Sequence, residues 1–277
     1  MTELDRKQET AHTEVYETRA MNLALRLLDG IGSASVHAYH DQPMHPMTLV
    51  SHGRTTTGEF VVSTLVDESM PVGAQPAGQP FPVRVEIVRE APAPHLRLVS
   101  GSIHMLGTMT WLDEIETGHL TAEEAIPEHV AFLASATGGR LGFVNSRRAV
   151  VNSDTGITAF QIDVLGESGI VPFPGRKDDL ACYDTVESLS EDNLSMICEA
   201  ARTKQIDGVV QFHPEFDKSC PHLYDTAVCV DADPHGLSLI QFRENGSFQA
   251  FVPFDVPVST ITELREQLDL LLINCDQ

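Results

Sequence analysis

PVRVEIVREAPAPHLRLVSGSIHMLGTMTWL, residues 82–112, has the pattern of two β-strands joined by a short loop, and the fold prediction starts from it. In its first half, Val83, Val85 and Ile87 alternate with polar residues, which is the pattern of a β-strand with one face in a core. Two prolines interrupt this pattern, because proline cannot donate to a β-ladder, and a second strand follows them. Two glycines within the second strand indicate bends or bulges. A long, bent antiparallel ribbon of this kind favours a small barrel over a flat sheet.

Upstream of the ribbon, the sequence predicts a helix and a hairpin. Residues 1–12 are polar, and we expect a solvated arm there. Apolar residues at helical spacing predict a helix over residues 14–28. Two strand-like segments, 47–55 and 59–66, flank Thr57-Gly58, and this arrangement predicts a β-hairpin.

Downstream of the ribbon, helix and strand patterns alternate. Thr121, followed three residues later by a glutamate, predicts a capped helix over residues 121–136. Alternating apolar residues predict a strand over residues 157–165. Near the end of the chain, Thr260 and Glu263 form a capping-box pattern that predicts a final helix.

Composition argues against several classes of function. The 277 residues include 18 Lys and Arg against 40 Asp and Glu, which gives a formal net charge of −22. Because phosphate-rich surfaces are bound by clustered cations, we expect no nucleic acid and no membrane as partners. The polar start of the sequence carries no secretion signal, and we therefore expect a cytoplasmic protein. Five irregularly spaced cysteines indicate reduced thiols rather than disulfides, and the absence of a CxxC pair argues against a structural metal.

Candidate binding residues occur in two places. In SHGRTTT, residues 51–57, Arg54 stands among His52, Thr55 and further hydroxyl groups. A guanidinium and neighbouring hydroxyls suit a phosphate or a propionate, although an exposed threonine-rich strand has the same pattern. His104 lies in the ribbon between apolar neighbours. It either faces a pocket or is a partly buried, hydrogen-bonded histidine.

Four histidines between residues 37 and 52 raise the question of a metal site. His37 and His40 differ by an odd number of positions, so a regular strand would point them to opposite faces. Surface histidines or a pH-sensitive loop fit the stretch better, and we assign no metal ligand there. The sequence has no GxSxG, GxGxxG or P-loop pattern, and it identifies no catalytic residue.

Three short motifs mark the last third of the chain: Asp231-Ala232-Asp233 before Gly236, then Val252-Pro253-Phe254, then Glu263-Leu264-Arg265. With these motifs, residues 223–272 resemble the C-terminal domain of haem-utilisation proteins of the HugZ type. That domain also occurs in chloroplast proteins that bind glutamyl-tRNA reductase. The preceding part resembles the split barrel of the pyridoxamine-phosphate-oxidase-like flavin proteins.

The resemblance implies an α+β fold. A split antiparallel β-barrel, FMN-binding-like, would occupy residues 1–180, and a smaller α/β domain would occupy residues 181–277. It also implies a homodimer. Three departures from the family pattern are evident. HugZ-type proteins ligate haem through a histidine near the C-terminus, and no histidine follows His235 here. The stretch Ser190-Glu191-Asp192-Asn193 lacks the family's histidine, and no arginine-rich strand follows the predicted hairpin, which disfavours FMN.

These observations lead to one leading function and two alternatives. The leading one is binding or utilisation of haem or a related tetrapyrrole, a small planar ligand. His52 or His104 would bind the iron, and Arg54 with Thr55 would bind a propionate. The alternatives are an FMN-dependent oxidoreductase and a non-catalytic protein-interaction module. Whether the protein is an enzyme is left open.

Overall fold

A computed structural model describes residues 3–38, 47–66, 72–93, 96–214, 222 and 224–275. The chain forms two compact units. The barrel unit consists of Ala20–Arg89 and Gly101–Val171. The C-terminal unit consists of Met1–Arg19, Glu90–Ser100 and Pro172–Gln277.

The barrel unit contains the end of one long helix, a seven-stranded sheet and three short helices. The C-terminal unit contains the start of the long helix, a four-stranded sheet and three further helices. In chain order the elements are α1 (Glu3–Leu28), β1 (Ser33–Ala38), β2 (Met47–Arg54), β3 (Phe60–Leu65), β4 (Phe81–Glu90), β5 (Val99–Trp111), α2 (Glu114–Ala122), α3 (Glu128–Ala134), β6 (Gly139–Ser153), β7 (Gly156–Gln161), α4 (Ile162–Glu167), α5 (Asp179–Glu187), α6 (Glu191–Arg202), β8 (Val209–His213), β9 (Ala227–Asp233), β10 (Gly236–Arg243), β11 (Gly246–Pro253) and α7 (Ile261–Cys275).

The larger sheet closes on itself. Its strand order is β3-β2-β1-β4-β5-β6-β7, and β3 also pairs antiparallel with β6, which joins β1 to β6 into a barrel. The α+β fold class and the antiparallel barrel expected from the sequence are therefore confirmed. The ribbon of residues 82–112 forms β4 and β5 of this wall, and Val83, Val85 and Ile87 are completely buried, as their alternation predicts.

The irregularity predicted at Gly107 is present as a bulge between β5 and β6, and its extra residue lies on β6. The pairing of β5 with β6 shifts register between Met105 and Gly107. A Cβ atom on Gly107 would lie 2.2 Å from the backbone oxygen of Asn145, so only glycine fits this close approach. Because the extra residue lies on β6, between Ser146 and Ala149, Val144 and Ala149 both face the core although they are five positions apart.

One end of the barrel wall is held by Trp111 and Arg140. The indole nitrogen of Trp111 donates to the backbone oxygen of Val72 at 2.9 Å, and the Arg140 guanidinium lies 4.7 Å from the Trp111 ring centroid. Arg140 also donates to the backbone oxygens of Gly73 and Gln75, at 2.8 and 2.9 Å. These bonds fix the Gly/Pro-rich loop that precedes β4.

The C-terminal unit is a four-stranded antiparallel sheet, in the order β8-β11-β10-β9, with α5, α6 and α7 packed against it. The capping box of α7 is confirmed. The Glu263 N–H donates to Thr260 Oγ1 at 3.2 Å, and Glu263 Oε2 accepts from the Thr260 N–H at 3.1 Å. A two-residue turn, Glu244-Asn245, joins β10 to β11.

Helix boundaries differ from the sequence prediction in two places. The residues expected to be a solvated arm are helical from Glu3 onward, because α1 extends to the N-terminal end of the described chain. The helix expected over 121–136 is divided into α2 and α3. The cap of α2 is Asp113, not Thr121, and Glu124, at φ 52°, lies between the two helices. A left-handed residue cannot continue a right-handed helix, and Pro127 starts the next one.

The strand expected over residues 157–165 ends earlier. The pairing of β7 with β6 stops at Gln161, and α4 follows immediately. Phe160 is buried as a strand residue, whereas Ile162 and Leu165 pack on the core at helical spacing. Apolar residues in this short run fit both periodicities, and packing of α4 against the barrel selects the helix.

Candidate ligand-binding site

His52, predicted as a ligand residue, lies inside the barrel unit. Its side chain is buried at 2% exposure, and its Nε2 atom donates to the backbone oxygen of Leu27 at 2.8 Å. Leu27 belongs to the last turn of α1, whose carbonyl groups lack partners within the helix. Gly53, the next residue, could not carry a side chain, because a Cβ atom there would lie 2.8 Å from the Pro127 ring. His52 therefore caps the C-terminal end of α1.

Arg54 and Thr55 are also engaged within the barrel unit. Arg54 forms a two-bond ion pair with Asp29, through Nε to Oδ1 at 2.6 Å and Nη2 to Oδ2 at 2.8 Å. Asp29 follows the C-terminal end of α1, where the helix dipole is negative and a carboxylate is unfavourable. The positive charge of the Arg54 guanidinium compensates for this. Thr55 Oγ1 accepts from the Glu59 N–H at 3.0 Å and lies 2.8 Å from Thr57 Oγ1 in the hairpin turn. A ligand-binding role for these residues stays a prediction.

His104 lies in a different place, at a cavity on the barrel wall. The cavity has a volume of about 690 Å³ and is formed by residues of β1, β4, β5 and β6 on the side of the wall opposite the core. We call this side the outer face. The lining residues are His37, Ala38, Arg84, His104, Met105, Leu106, Arg148 and Val150.

Strand register brings these polar side chains together. His37 of β1 pairs directly with Arg84 of β4, and His104 of β5 pairs with Val150 of β6. Directly opposite residues in an antiparallel pair project to the same face. Because Val83 and Val85 point into the core, Arg84 between them points outward. His37, which is paired with Arg84, therefore points outward as well.

Glu86 adds a carboxylate to the outer face. Its Oε2 atom lies 3.6 Å from Arg84 Nη2, and its Oε1 atom lies 3.7 Å from His104 Nδ1. Glu86 thus stands between a guanidinium and an imidazole of the cavity lining. The other ring nitrogen of His104, Nε2, lies 3.4 Å from Ser102 Oγ.

Two other polar side chains of the cavity, Arg148 and His37, are less engaged. Arg148 is exposed and forms no ion pair with any residue in the described part of the chain. The His37 Nδ1 atom is buried, and it has no hydrogen-bond partner among the described residues. A buried polar atom without a partner costs free energy, so a ligand that bonded to it would gain by doing so.

The lining suits an anionic ligand with an apolar body. Two guanidinium groups supply donors for carboxylate or phosphate oxygens, and Ala38, Leu106 and Val150 supply apolar contact. The volume lies within the range of roughly 300–1,000 Å³ that small-molecule sites occupy. This concentration of cations is notable in a chain whose formal net charge is −22.

Haem fits this set of residues on chemical grounds. An imidazole can bind the haem iron, and a guanidinium can bind a propionate. The unpartnered Nδ1 of His37 is the observation that supports such a ligand most directly. FMN would also find guanidinium groups for its phosphate in the same cavity.

Sequence reasoning identified part of this site. His104 was predicted to contribute, and His37 was considered only for a metal. Arg84 and Arg148 were not singled out. Alternation within each strand predicts that Arg84 and Arg148 point outward. No local sequence pattern predicts that β1, β4, β5 and β6 are neighbours in the sheet. In the described ranges no three His, Cys, Asp or Glu side chains form a metal-binding group, and His40 and His45 lie outside those ranges.

No helix within the described ranges is both long enough and apolar enough to cross a membrane.

Comparisons with known proteins give low similarities. No family profile and no curated protein matches the sequence. Among solved structures, a heme binding protein from Mycobacterium smegmatis is 15% identical, with a TM-score of 0.49, and the match covers 93% of this chain and 98% of that one. A protein of the pyridoxinephosphate oxidase family from Clostridium acetobutylicum, related to general stress protein 26, is 10% identical, with a TM-score of 0.34, and the match covers 54% and 94%.

A third solved structure, an FAD-binding protein from Mesorhizobium loti, is 10% identical, with a TM-score of 0.32, and the match covers 45% of this chain and 88% of that one. At these identities and TM-scores, the matches establish neither a family nor a function for this chain.

Proposed function

We propose that this protein binds haem or a related tetrapyrrole in the outer-face cavity. The single observation that carries the proposal is the convergence of His37, His104, Arg84 and Arg148 around an apolar lining. Kinship with the HugZ-type haem-utilisation proteins, suggested by the sequence, is part of the same proposal, and so is the expected cytoplasmic location.

In this proposal, different residues of the cavity would bind different parts of the ligand. His104 or His37 would bind the iron, and Arg84 and Arg148 would bind the two propionates. Leu106 and Val150 would contact the porphyrin and exclude water from part of it. When bound, haem would supply a redox-active iron at the barrel surface. Among the candidate ligands, this assignment retains His104 and replaces Arg54 by Arg84 and Arg148.

We also propose that the protein is a homodimer through the outer face. Leu106 is 58% exposed and Ile157 is 76% exposed. The register of β6 with β7 places Ile157 and Ala159 opposite Asn152 and Val150, on the same face as the cavity. Exposed apolar residues that share one sheet face are typical of an interface. Sedimentation tests this: we expect a dimeric wild type and a weakened dimer in Ile157→Glu, whose position lies outside the cavity lining, and a monomeric wild type would contradict the proposal.

Titration with haemin, followed by the Soret band, tests the ligand. We expect micromolar protein to shift the band, and Arg84→Gln and Arg148→Gln each to weaken binding on the order of tenfold, because each removes a charge-assisted hydrogen bond. Arg147→Gln is the matched control, since Arg147 neighbours Arg148 on β6 but is not part of the lining. His37→Ala and His104→Ala should identify the iron ligand by a change in band position.

The outcomes separate the alternatives. No Soret shift with wild-type protein would overturn the haem proposal. A loss of binding in Arg54→Gln, with Arg148→Gln unaffected, would move the site to the SHGRTTT segment predicted from the sequence. Quenching of FMN fluorescence without any haemin binding would favour the flavin-dependent alternative. Capture of one stoichiometric protein partner, with neither chromophore bound, would favour the interaction module.

A further inference from the structure

Glu86 is an acidic residue at the edge of a cation-rich cavity, and the proposed ligand is itself an anion. A carboxylate there would repel a propionate, and another contact of Glu86 would have to offset this cost. Its two oxygens face different partners: Oε2 lies 3.6 Å from Arg84 Nη2, and Oε1 lies 3.7 Å from His104 Nδ1. Both distances exceed a direct hydrogen bond and fall within reach of a small side-chain movement.

The three side chains are accessible enough to exchange partners. Exposure is 30% for the Glu86 side chain, 42% for Arg84 and 34% for His104. An ion pair of this exposure is weak, so an incoming carboxylate can replace Glu86 at the guanidinium at small cost. Glu86 would then remain beside the Nδ1 atom of His104.

We propose that Glu86 is a positioning residue shared by Arg84 and His104, which a ligand carboxylate displaces from Arg84 and which then orients the His104 imidazole. This inference rests on the proposed function and deepens it. A carboxylate that accepts from Nδ1–H fixes the tautomer in which Nε2 is unprotonated, so that Nε2 could exchange Ser102 Oγ for iron, and it makes that nitrogen a better ligand. Binding of the ligand's acidic arm would thereby strengthen its coordination at the metal.

This arrangement gives one substitution two effects of opposite sign. Glu86→Gln removes the competitor for Arg84, so binding of a ligand that depends on carboxylates alone becomes tighter. The same change removes the charge that supports His104, so binding of a ligand that depends on iron coordination becomes weaker. A general loss of structure would weaken both.

Two porphyrins measure the two effects separately. Metal-free protoporphyrin IX, followed by its fluorescence, reports the carboxylate arm, and haemin reports the arm and the iron together. For Glu86→Gln we expect protoporphyrin IX to bind about 2- to 5-fold more tightly. We expect haemin to bind about 10-fold more weakly, with a more positive reduction potential, because outer-shell partners typically contribute this much. Glu90→Gln, at the exposed end of the same strand, is the matched control and should change neither ligand.

Each result bears on the inference. A parallel change for both porphyrins, or no change for either, would overturn the role of Glu86 while leaving the ligand-binding proposal intact. Equal affinity of wild-type protein for haemin and protoporphyrin IX would show that His104 does not bind iron, which overturns the inference as well. Binding of neither porphyrin to the wild type would overturn the proposed function together with it.

Discussion

At the scale of single residues, Arg19 and Asp233 form a buried ion pair in the C-terminal unit. Arg19 Nε and Asp233 Oδ2 lie 2.7 Å apart, and their side chains are 4% and 5% exposed. Arg19 Nη2 donates to Ser238 Oγ at 2.8 Å, and its guanidinium lies 3.6 Å from the Phe251 ring centroid. The second Asp233 oxygen accepts from the His235 N–H at 2.7 Å. Asp233, quoted above for the family resemblance, is thus the counterion of Arg19.

Removal of either charge should be costly, because the remaining charge would be buried without compensation. We expect Asp233→Leu and Arg19→Met each to lower the free energy of unfolding by about 3–5 kcal/mol. The double variant Arg19→Met/Asp233→Leu should recover much of this loss. Urea denaturation measures all three. Additive losses in the double variant would show that the pair is not coupled.

At the scale of an element, α7 illustrates a helix start that the sequence defines locally. The Glu263 carboxylate accepts from the Ser259 and Thr260 N–H groups, at 2.7 and 3.1 Å, and these bonds hold the pKa of Glu263 below its ordinary value of 4.5. A depressed carboxylate pKa stabilises the folded state above the unfolded pKa. That stability is lost as the pH falls through the folded value.

Variants of the α7 cap test this direction of the pH dependence of stability. Thr260→Ala should destabilise the protein by about 1 kcal/mol at neutral pH, because it removes an N-cap acceptor. Glu263→Gln should lower the melting temperature at pH 7, and its difference from wild type should shrink as the pH falls below 4.5. Thermal unfolding from pH 7 to pH 3 measures both effects. A difference that grows at low pH would contradict the assigned direction. Glu266→Gln serves as control, because Glu266 lies three residues after Glu263 on the same exposed face of α7.

Element type was predictable wherever one periodicity dominated. Alternation gave β4 and β5, and helical spacing gave α7. The prediction was wrong where a short apolar run fitted both patterns, as in residues 157–165. It was also wrong at α2, where the helix start was predicted at Thr121. The capping box at Asp113 starts the helix earlier, and Thr121 lies within the last turn of α2.

At the scale of the whole molecule, burial determines the chemistry of the thiols. Cys182, Cys198, Cys229 and Cys275 are all buried, and burial raises the pKa of Cys198 to about 12. The thiolate is the reactive form, so a thiol with this pKa is nearly unreactive at neutral pH. Cys220 lies outside the described residues.

Thiol titration checks this prediction. In the Cys220→Ser variant, we expect no cysteine to react rapidly with Ellman's reagent at pH 8 in the native protein. Four should react after denaturation in guanidinium chloride. A native thiol that reacts within seconds would show that at least one of the four sites opens readily.

The sequence by itself determined the local features of this protein: the alternating faces of β4 and β5, the glycine at the bulge and the cap of α7. Each of these depends on residues close together in the chain, through backbone geometry and short-range hydrogen bonds. Only the tertiary structure decided the closure of the barrel by β3 and β6, and with it the composition of the cavity. His37 and Arg84 become neighbours through strand pairing, and no local pattern encodes which distant strands will pair. The same long-range packing gave His52 and Arg54 partners at the end of α1 and left His104 at the cavity.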